Sequence, residues 1–361
     1  MSVNTENNKT ENKERGKIRL SWRGQAIVSV IIAVIVLLSA FGPRLRGFFD
    51  NDGVKEGYPV TRNVFLLDTF CQLTIYDGGG EEAMASAVDR LNHYDDIFNK
   101  SKDTSDIYRI NHRDTDRVSI DTDTAEMLGI AREVCEETGG VLEPAIEPVS
   151  GLWDFKEDKK VPDKAVLEKA LENVKSLEWD IEGSEFVACD DDVRIDIGAF
   201  AKGYIADRIK EDMLQNGVTS AIINLGGNVL CIGTMPDGRP FKIAIEAPGK
   251  LVREYEVVEI DDDSIVTAGI YERSFEEDGV LYHHILDPDT GYPVQNDLES
   301  VSVIGHESVI CDALCTSIFI MGEAEGTEFI RAYNEKHGTE YEAVFLRKDG
   351  TTVYTEDDSK D

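Results

Sequence analysis

The sequence is short of basic residues and of cysteines at metal-binding spacings, and each shortage excludes a class of protein. Lys and Arg number 37 against 71 Asp and Glu, which gives a formal net charge of −34 at pH 7. A surface of that charge repels polyanions, so we expect no nucleic-acid partner. The six cysteines include no Cys-x-x-Cys pair, and most lie in apolar runs. We therefore expect buried free thiols instead of a disulfide framework or a zinc site.

Long hydrophobic runs are also scarce, because only residues 26–41 form an uncharged apolar stretch close to the length of a membrane span. Six basic residues precede this stretch, and the positive-inside rule places them in the cytoplasm. We predict a cytoplasmic basic leader at 1–24, a transmembrane signal anchor at 25–42 and an extracytoplasmic catalytic part, held at the cell membrane by this single span. The alternatives are a cleaved signal peptide and a buried core helix.

Internal repeats and low-complexity tracts are absent, so the remaining chain is interpreted as a linker at 43–62, one domain at 63–355 and an acidic tail at 356–361. Strand patterns occur in consecutive runs, which favours an α+β fold of mixed, largely antiparallel sheets with packed helices. Residues 64–76 predict one strand, and residues 193–197 predict another. Helical spacing of apolar residues predicts six helices, at 81–98, 124–137, 163–174, 199–215, 309–321 and 326–336.

A first motif, Asp-Ile-Gly-Ala-Phe-Ala-Lys-Gly-Tyr at 196–204, lies where a predicted strand meets a helix. Its glycines let a ligand approach the backbone, and the free amides at a helix start suit a phosphate. Lys202 adds a positive charge one turn into the helix. The motif is either an anion site or an ordinary strand-to-helix turn.

A second motif, Asn-Leu-Gly-Gly-Asn at 224–228, lies between two apolar strands. A glycine pair in that position is a common hairpin turn. The asparagines on both sides of the pair also suit a ligand-binding loop, so both interpretations stay open.

A third motif, His-His-Ile-Leu-Asp-Pro-Asp-Thr-Gly-Tyr-Pro at 283–293, is a strand that runs into a rigid polar turn. A histidine beside carboxylates can act as a general base or a metal ligand. Adjacent strand residues face opposite sides, so His283 and His284 cannot both point at one site. One of the two is expected to be structural.

A fourth motif places Asp312 and Thr316 four residues apart at the start of an apolar helix, and hence on one helix face. A carboxylate and a hydroxyl together suit a hard cation such as Mg²⁺. The alternative is an aspartate that only complements the helix dipole.

In this order the four motifs resemble the ApbE family, the FAD:protein FMN transferases, over about residues 67–322. Two further segments carry the resemblance. The run Thr-Gly-Gly-Val-Leu-Glu-Pro at 138–144 is similar to a loop of that family, and Thr-Ala-Gly at 267–269 with Tyr-Glu-Arg at 271–273 is similar to its threonine-serine-glycine and arginine signature.

The resemblance implies a set of site residues. Mg²⁺ would be held by the backbone carbonyl of Ala199 with Asp312 and Thr316, and catalysis would use His284, Lys202 and Asp287. The implied contacts to FAD are Leu67, Ser101, Val141, Leu142, Glu143, Asp196, Lys202, Gly226, Gly227 and Leu286.

The chain departs from the family pattern at three places. Ser101 replaces an aromatic residue, Val-Leu-Glu at 141–143 replaces Ala-Phe-Asp, and Cys315 replaces what is often a second aspartate. Asp312 is then the one carboxylate that the pattern assigns to the metal, which is compatible with Mg²⁺ when substrate phosphates supply further ligands.

The implied reaction is phosphoryl transfer with FAD as substrate. A threonine hydroxyl of an exported or membrane-bound acceptor protein attacks the FMN-side phosphorus, a phosphodiester forms and AMP leaves. Two alternatives remain open at this stage. The first is an FAD pyrophosphatase that gives FMN and AMP, and the second is a non-catalytic exported FAD-binding protein.

Overall fold

The computed structural model describes residues 57–66, 68–157, 159–174, 178–246 and 255–355. The predicted leader, anchor and acidic tail, and most of the predicted linker, lie outside these residues. Among the described helices, none is both long and apolar enough to cross a membrane. The described helices are α1 (Gly80–Phe98), α2 (Asp106–Asn111), α3 (Thr122–Glu137), α4 (Glu147–Ser150), α5 (Lys164–Val174), α6 (Ala201–Gln215), α7 (Ser308–Met321) and α8 (Glu323–His337).

The main sheet has eight strands in the order β1-β2-β6-β7-β10-β13-β14-β15, and neighbouring strands are antiparallel. The short strands form a three-stranded sheet, β3-β5-β4, and two hairpins, β8-β9 and β11-β12. The strands are β1 (Val60–Leu66), β2 (Thr69–Gly78), β3 (Arg117–Ser119), β4 (Trp179–Ile181), β5 (Glu185–Ala188), β6 (Val218–Leu225), β7 (Asn228–Ile232), β8 (Phe241–Glu246), β9 (Tyr255–Ile260), β10 (Ser264–Gly269), β11 (Ser274–Glu277), β12 (Val280–His283), β13 (Leu298–Gly305), β14 (Glu342–Arg347) and β15 (Thr352–Tyr354).

Both faces of the main sheet are covered, and the alternation of side chains along its strands explains how. Leu73 and Ile223 point to one face, where they pack with α1, α6 and α7 in the largest apolar cluster. Their neighbours Ile222 and Val229 point to the other face, where the β8-β9 hairpin covers them with Phe241. The sheet thus lies between a helical layer and a hairpin.

A smaller apolar cluster lies outside these layers and supports two loops that carry predicted site residues. Trp153, Leu167 and Leu286 pack together in it, and the indole nitrogen of Trp153 donates to the carbonyl of Gly291 at 3.0 Å. This contact joins the loop after α4 to the Asp-Pro turn at 287–291. The cluster therefore holds those two segments in a fixed relation.

Helices α6 and α7 meet at their N-termini, and a glycine makes the contact possible. A Cβ atom on Gly203 would lie 2.3 Å from the carbonyl oxygen of Ser308. Just after it, both carboxylate oxygens of Asp207 accept backbone N–H groups of α7, from Ser308 at 2.9 Å and from Val309 at 2.8 Å. Asp207 thus supplies the cap that the first turn of α7 requires.

The α+β architecture with antiparallel sheets is confirmed, as are the six predicted helices, whose ends differ from prediction by no more than three residues. The single strand predicted at 64–76 is wrong. It is the β1-β2 hairpin, which turns at Asp68 with φ 60°. β1 begins at Val60, inside the predicted linker, because its pairing with β2 is a contact that the local pattern does not reveal.

The strand predicted at 193–197 is also wrong. The segment is not part of any described strand, and the side-chain amide of Asn111 bonds its backbone instead, accepting from the Ile195 N–H at 2.7 Å and donating to the Ile195 carbonyl at 2.9 Å. A single amide side chain can form hydrogen bonds to the N–H and the carbonyl of one residue in this way, without the series of bonds that defines a pair of strands.

We predict that Gly203→Ala destabilises the protein by about 2–3 kcal/mol, because the added methyl group must displace backbone of α7. The matched control is Gly129→Ala in α3, where a Cβ meets nothing within 4 Å. That variant should gain about 0.5–1 kcal/mol from helix propensity. Chemical denaturation of both variants checks the pair, and equal stabilities would contradict the close approach.

Candidate active site

The site is centred on the contact between the first turn of α6 and the side chain of Asp312 in α7. α6 begins at Ala201 with Phe200 as its N-cap, so the Gly203 N–H is one of the first-turn amides that have no acceptor within the helix. It donates to Oδ2 of Asp312 at 2.9 Å. The Asp312 side chain is thereby fixed and buried at the start of α6.

Lys202 provides the positive charge beside this carboxylate. Burial acts to lower the pKa of Lys202, but the charges of Asp312 and Glu272 outweigh it and raise the pKa above its ordinary value. Burial raises the pKa of Asp312, while Lys202 and the Gly203 N–H oppose that rise. The carboxylate therefore depends on a positive neighbour to stay ionised.

The three predicted metal ligands lie on the segments that meet at Asp312, and their role stays a prediction. The hydroxyl of Thr316 lies one turn further along α7 and donates to the Asp312 carbonyl at 3.4 Å, while the Ala199 carbonyl lies just before α6. A carboxylate, a hydroxyl and a carbonyl are all oxygen donors, the set that Mg²⁺ prefers. Cys315 lies between them but is buried, and burial raises the pKa of its thiol well above the ordinary value, so it is a poor replacement for an anionic ligand.

The two adjacent histidines have different surroundings, because β12 ends at His283 and His284 lies in the bend that follows. His283 is buried, with Nε2 2.9 Å from the carbonyl of Val294 and Nδ1 accepting from the Ile285 N–H, and its role is structural. His284 follows, and its Nδ1 is buried without a hydrogen-bond partner among the described residues. Burial, with the charge of Arg273, lowers the pKa of His284 to about 4. The ring is therefore neutral near pH 7 and able to accept a proton.

Asp287 lies three residues after His284, but its carboxylate is engaged within the turn. Oδ1 accepts the N–H of Asp289 at 2.8 Å, and Oδ2 accepts the hydroxyl of Thr290 at 3.2 Å. Both oxygens thus stabilise the turn, an arrangement typical of an Asx turn. The catalytic roles of Asp287 and of His284 both stay predictions.

The loop at 141–143 and Asp196 lie next to each other. Oδ2 of Asp196 accepts the hydroxyl of Ser150 at 2.7 Å, and the Asp196 N–H donates to the carbonyl of Pro144 at 2.8 Å. Glu143 precedes that proline and caps the short turn after it by accepting the Ala145 N–H at 2.9 Å. The structure therefore joins two segments that are 50 residues apart in the sequence and that the resemblance assigns to FAD.

Within this loop Val141 is half-buried, and Leu142 is buried with its N–H directed at the hydroxyl of Thr138, 3.3 Å away. Leu286 is buried in the smaller apolar cluster, so its backbone and not its side chain is free to meet a ligand. Ser101 is exposed in the loop after α1, where its N–H donates to the side chain of Asn99 at 3.0 Å. Leu67 lies outside the described residues.

A cavity of about 610 Å³ is lined by the glycine turn and by Glu272, whose charge interacts with Lys202. Lys202, Asp312 and His284 are not among its lining residues. Gly226 and Gly227, at φ 62° and 93°, form the tight turn between β6 and β7. A Cβ on Gly226 would lie 1.9 Å from the hydroxyl oxygen of Thr69, so this turn rests against the start of β2. The hairpin interpretation and the ligand-loop interpretation are therefore compatible, because the turn forms part of the cavity wall.

Glu272 is a site residue that sequence reasoning missed. Its carboxylate lines the cavity, and its charge interacts with Lys202 and Asp312. Burial raises the pKa of Glu272, and Lys202 and Arg273 oppose the rise. The sequence feature that could have indicated Glu272 is its position in the Tyr-Glu-Arg segment after β10. That segment was interpreted only as part of a family signature.

The fold and this site define an α+β protein whose charged centre, built where two helices meet, adjoins a glycine-walled cavity. The chain belongs to the ApbE family, whose model matches residues 67–343. It is 28% identical over 334 residues to the FAD:protein FMN transferase of Treponema pallidum (86% of this chain, 88% of that protein). It is 33% identical over 275 residues to an enzyme of the same name from Klebsiella pneumoniae (74% and 83%). The chain is therefore an enzyme of the transferase class.

Solved structures agree with the assignment of fold. The ApbE protein of Thermotoga maritima superimposes with a TM-score of 0.75 at 25% identity, covering 83% of this chain and 98% of that one. The flavin transferase ApbE of Vibrio cholerae gives a TM-score of 0.72, with coverage of 82% and 97%, and its 24% identity supports the fold alone.

The lowered pKa of His284 predicts an acid-dependent loss of stability. Between its ordinary pKa near 6.5 and about 4, the unfolded chain binds a proton that the folded chain does not. The stabilisation is therefore complete above pH 6.5 and is lost as the pH falls towards 4. From pH 7.5 to pH 5 the wild type should lose about 2 kcal/mol more than His284→Gln. Urea denaturation at the two pH values checks this, and equal losses would contradict a neutral, buried His284.

Proposed function

We propose that the chain is an Mg²⁺-dependent FAD:protein FMN transferase that moves FMN from FAD to a threonine hydroxyl of an acceptor protein. A bond forms between the threonine oxygen and the FMN phosphorus, the bond from that phosphorus to the AMP oxygen breaks, and AMP leaves. The observation that carries the proposal is the hydrogen bond from the Gly203 N–H to Asp312, which fixes a buried carboxylate whose charge interacts with Lys202. The names of its relatives support the same activity.

The donor chemistry at Asp312 fits a magnesium ion. Asp312, Thr316 and the carbonyl of Ala199 would hold it, and the buried carboxylate would gain a second positive neighbour. When bound, Mg²⁺ neutralises charge on the pyrophosphate and on the leaving phosphate. The remaining ligands would come from the substrate, as is usual for this cation.

Lys202 contributes electrostatic stabilisation of the transition state. It keeps its charge because Asp312 and Glu272 raise its pKa, and it lies in the first turn of α6, where the helix dipole also favours an anion. These features matter in a chain with a net charge of −34, which otherwise repels a pyrophosphate. Charge developing on the bridging oxygen would be stabilised by groups already in place.

His284 is the best candidate for the group that takes the threonine proton. Its ring is neutral, its Nδ1 has no described partner, and it lies near Lys202 and Arg273. A neutral imidazole can accept the proton as the oxygen–phosphorus bond forms. Nearby cations then disfavour the imidazolium, so the proton would pass on to solvent or to the leaving group.

Binding of FAD would use the two segments that the structure joins and the glycine turn. Asp196 and the loop at 141–143 form one part of the site, and Gly226 and Gly227 let the nucleotide approach the backbone of the cavity wall. Leu67, Ser101 and Leu286 would complete the contacts. Positioning of this kind is the main requirement of phosphoryl transfer.

We also propose that the catalytic domain is extracytoplasmic and is held at the cell membrane by the span at 25–42. The basic leader and the uncharged run support this orientation. An anchored enzyme would then meet exported or membrane-bound acceptors on the same side of the membrane.

The test is a transfer assay with the full-length enzyme, FAD, Mg²⁺ and exported candidate domains as acceptors, read by intact-protein mass spectrometry and AMP release. An acceptor heavier by one FMN, with one AMP per event, is the expected result. Asp312→Asn keeps an acceptor for the Gly203 N–H but removes the charge, and should lower kcat about 100-fold or more. Cys315→Ala, on the same turn of α7, is the matched control and should retain activity.

Two outcomes would overturn parts of this proposal. AMP and free FMN with every acceptor unmodified would indicate an FAD pyrophosphatase. Full activity in the presence of EDTA would contradict the proposed dependence on Mg²⁺.

A further inference from the structure

The tip of the β1-β2 hairpin carries an exposed aromatic pair. Phe65 and Phe70 are direct cross-strand partners, and they are 70% and 57% exposed, the largest exposed fractions among the large hydrophobic side chains described. They share the outer face of the hairpin with Asn63 and Gln72, whose side chains are hydrogen-bonded at 3.0 Å. Two exposed aromatic rings side by side are typical of a surface that binds a partner.

The pair lies at the edge of the cavity. Asp68 and Thr69, which stand between the two phenylalanines in the sequence, both line it. At about 3.3 Å per residue, the backbone of each phenylalanine is within about 10 Å of a lining residue. A protein bound to the aromatic pair would therefore cover the mouth of the cavity.

Two basic side chains near the hairpin tip are paired with acidic ones. Arg62 pairs with Glu81 at 2.5 Å on one side, and Lys156 pairs with Asp68 at 2.8 Å on the other. β1 is also an edge strand, since among the described residues it pairs only with β2. An extended segment of another protein could pair with such an edge without opposing charge.

We propose that this tip, defined by Phe65, Phe70 and the free edge of β1, is the docking surface for the acceptor protein. The inference rests on the proposed function, because that reaction requires a hydroxyl of a second protein to reach a phosphorus bound in the site. The acceptor binds with an apolar surface on the phenylalanines, and its extended threonine-bearing segment crosses the mouth of the cavity. Continuity of the aromatic pair with the cavity wall favours this occupant over others.

The test measures KM for both substrates of the full-length enzyme, using the acceptor domain that the wild type modifies. In Phe65→Ser/Phe70→Ser we expect the acceptor KM to rise about 10- to 100-fold, the loss typical of two central aromatic contacts. The KM for FAD and the kcat at saturating acceptor should stay unchanged. Leu214→Ser is the matched control, because Leu214 is 47% exposed at the far end of α6. It lies about 18 Å along the helix from Lys202.

Other results would overturn the inference. An unchanged acceptor KM in the double variant would contradict the docking surface. If light scattering then shows that the variant has a lower mass than the wild type, the two phenylalanines contact a second copy of the chain instead. A rise in the FAD KM of the same size would show that the pair only supports the cavity wall. If the wild type modifies no acceptor, the proposed function itself fails. That result differs from an active wild type whose acceptor KM is unchanged in the double variant.

Discussion

The site depends on the close approach of two helices at one glycine. Because Gly203 has no side chain, the start of α6 lies against the backbone of Ser308, and its N–H reaches Asp312 in the neighbouring helix. Asp207, one turn further on, caps the same end of α7 with both carboxylate oxygens. The approach that packs the core therefore also fixes the carboxylate at the first turn of α6. Stability and the proposed cation site are thus consequences of a single contact.

Electrostatics explain why the charged groups of the site occur together. Burial raises the pKa of Asp312 and of Glu272, so two carboxylates near one another would bind protons in the absence of a cation. The charge of Lys202 interacts with both carboxylates, and their negative charges raise the pKa of Lys202. Arg273 adds a second positive charge beside Glu272, so the two carboxylates face two cations. A divalent cation at Asp312, as proposed, would add the charge needed to attract a pyrophosphate.

The features that local patterns govern were predicted well. The period of apolar residues predicted α6 and α7 to within two residues. His283 is structural, as expected of one of the two histidines, but β12 ends there and strand alternation does not reach His284. The hairpin at Asp68, the start of β1 and the role of Asn111 were missed, because each depends on a partner distant in the sequence. Glu272 was missed for the same reason, since its importance arises from Lys202 and Asp312, which are brought to it only by folding.

The two hairpin tips beside the cavity are coupled, and this coupling has consequences for both substrates. Gly226 in one turn rests on Thr69 in the other, so the position of each turn fixes the position of its neighbour. The wall that would admit the nucleotide is therefore continuous with the strand that carries Phe65 and Phe70. If the acceptor docks on that strand as proposed, its threonine-bearing segment and the bound nucleotide would meet along one wall of the cavity. The contact between the two turns would then keep the distance between the two substrates constant, which is the positioning that phosphoryl transfer requires.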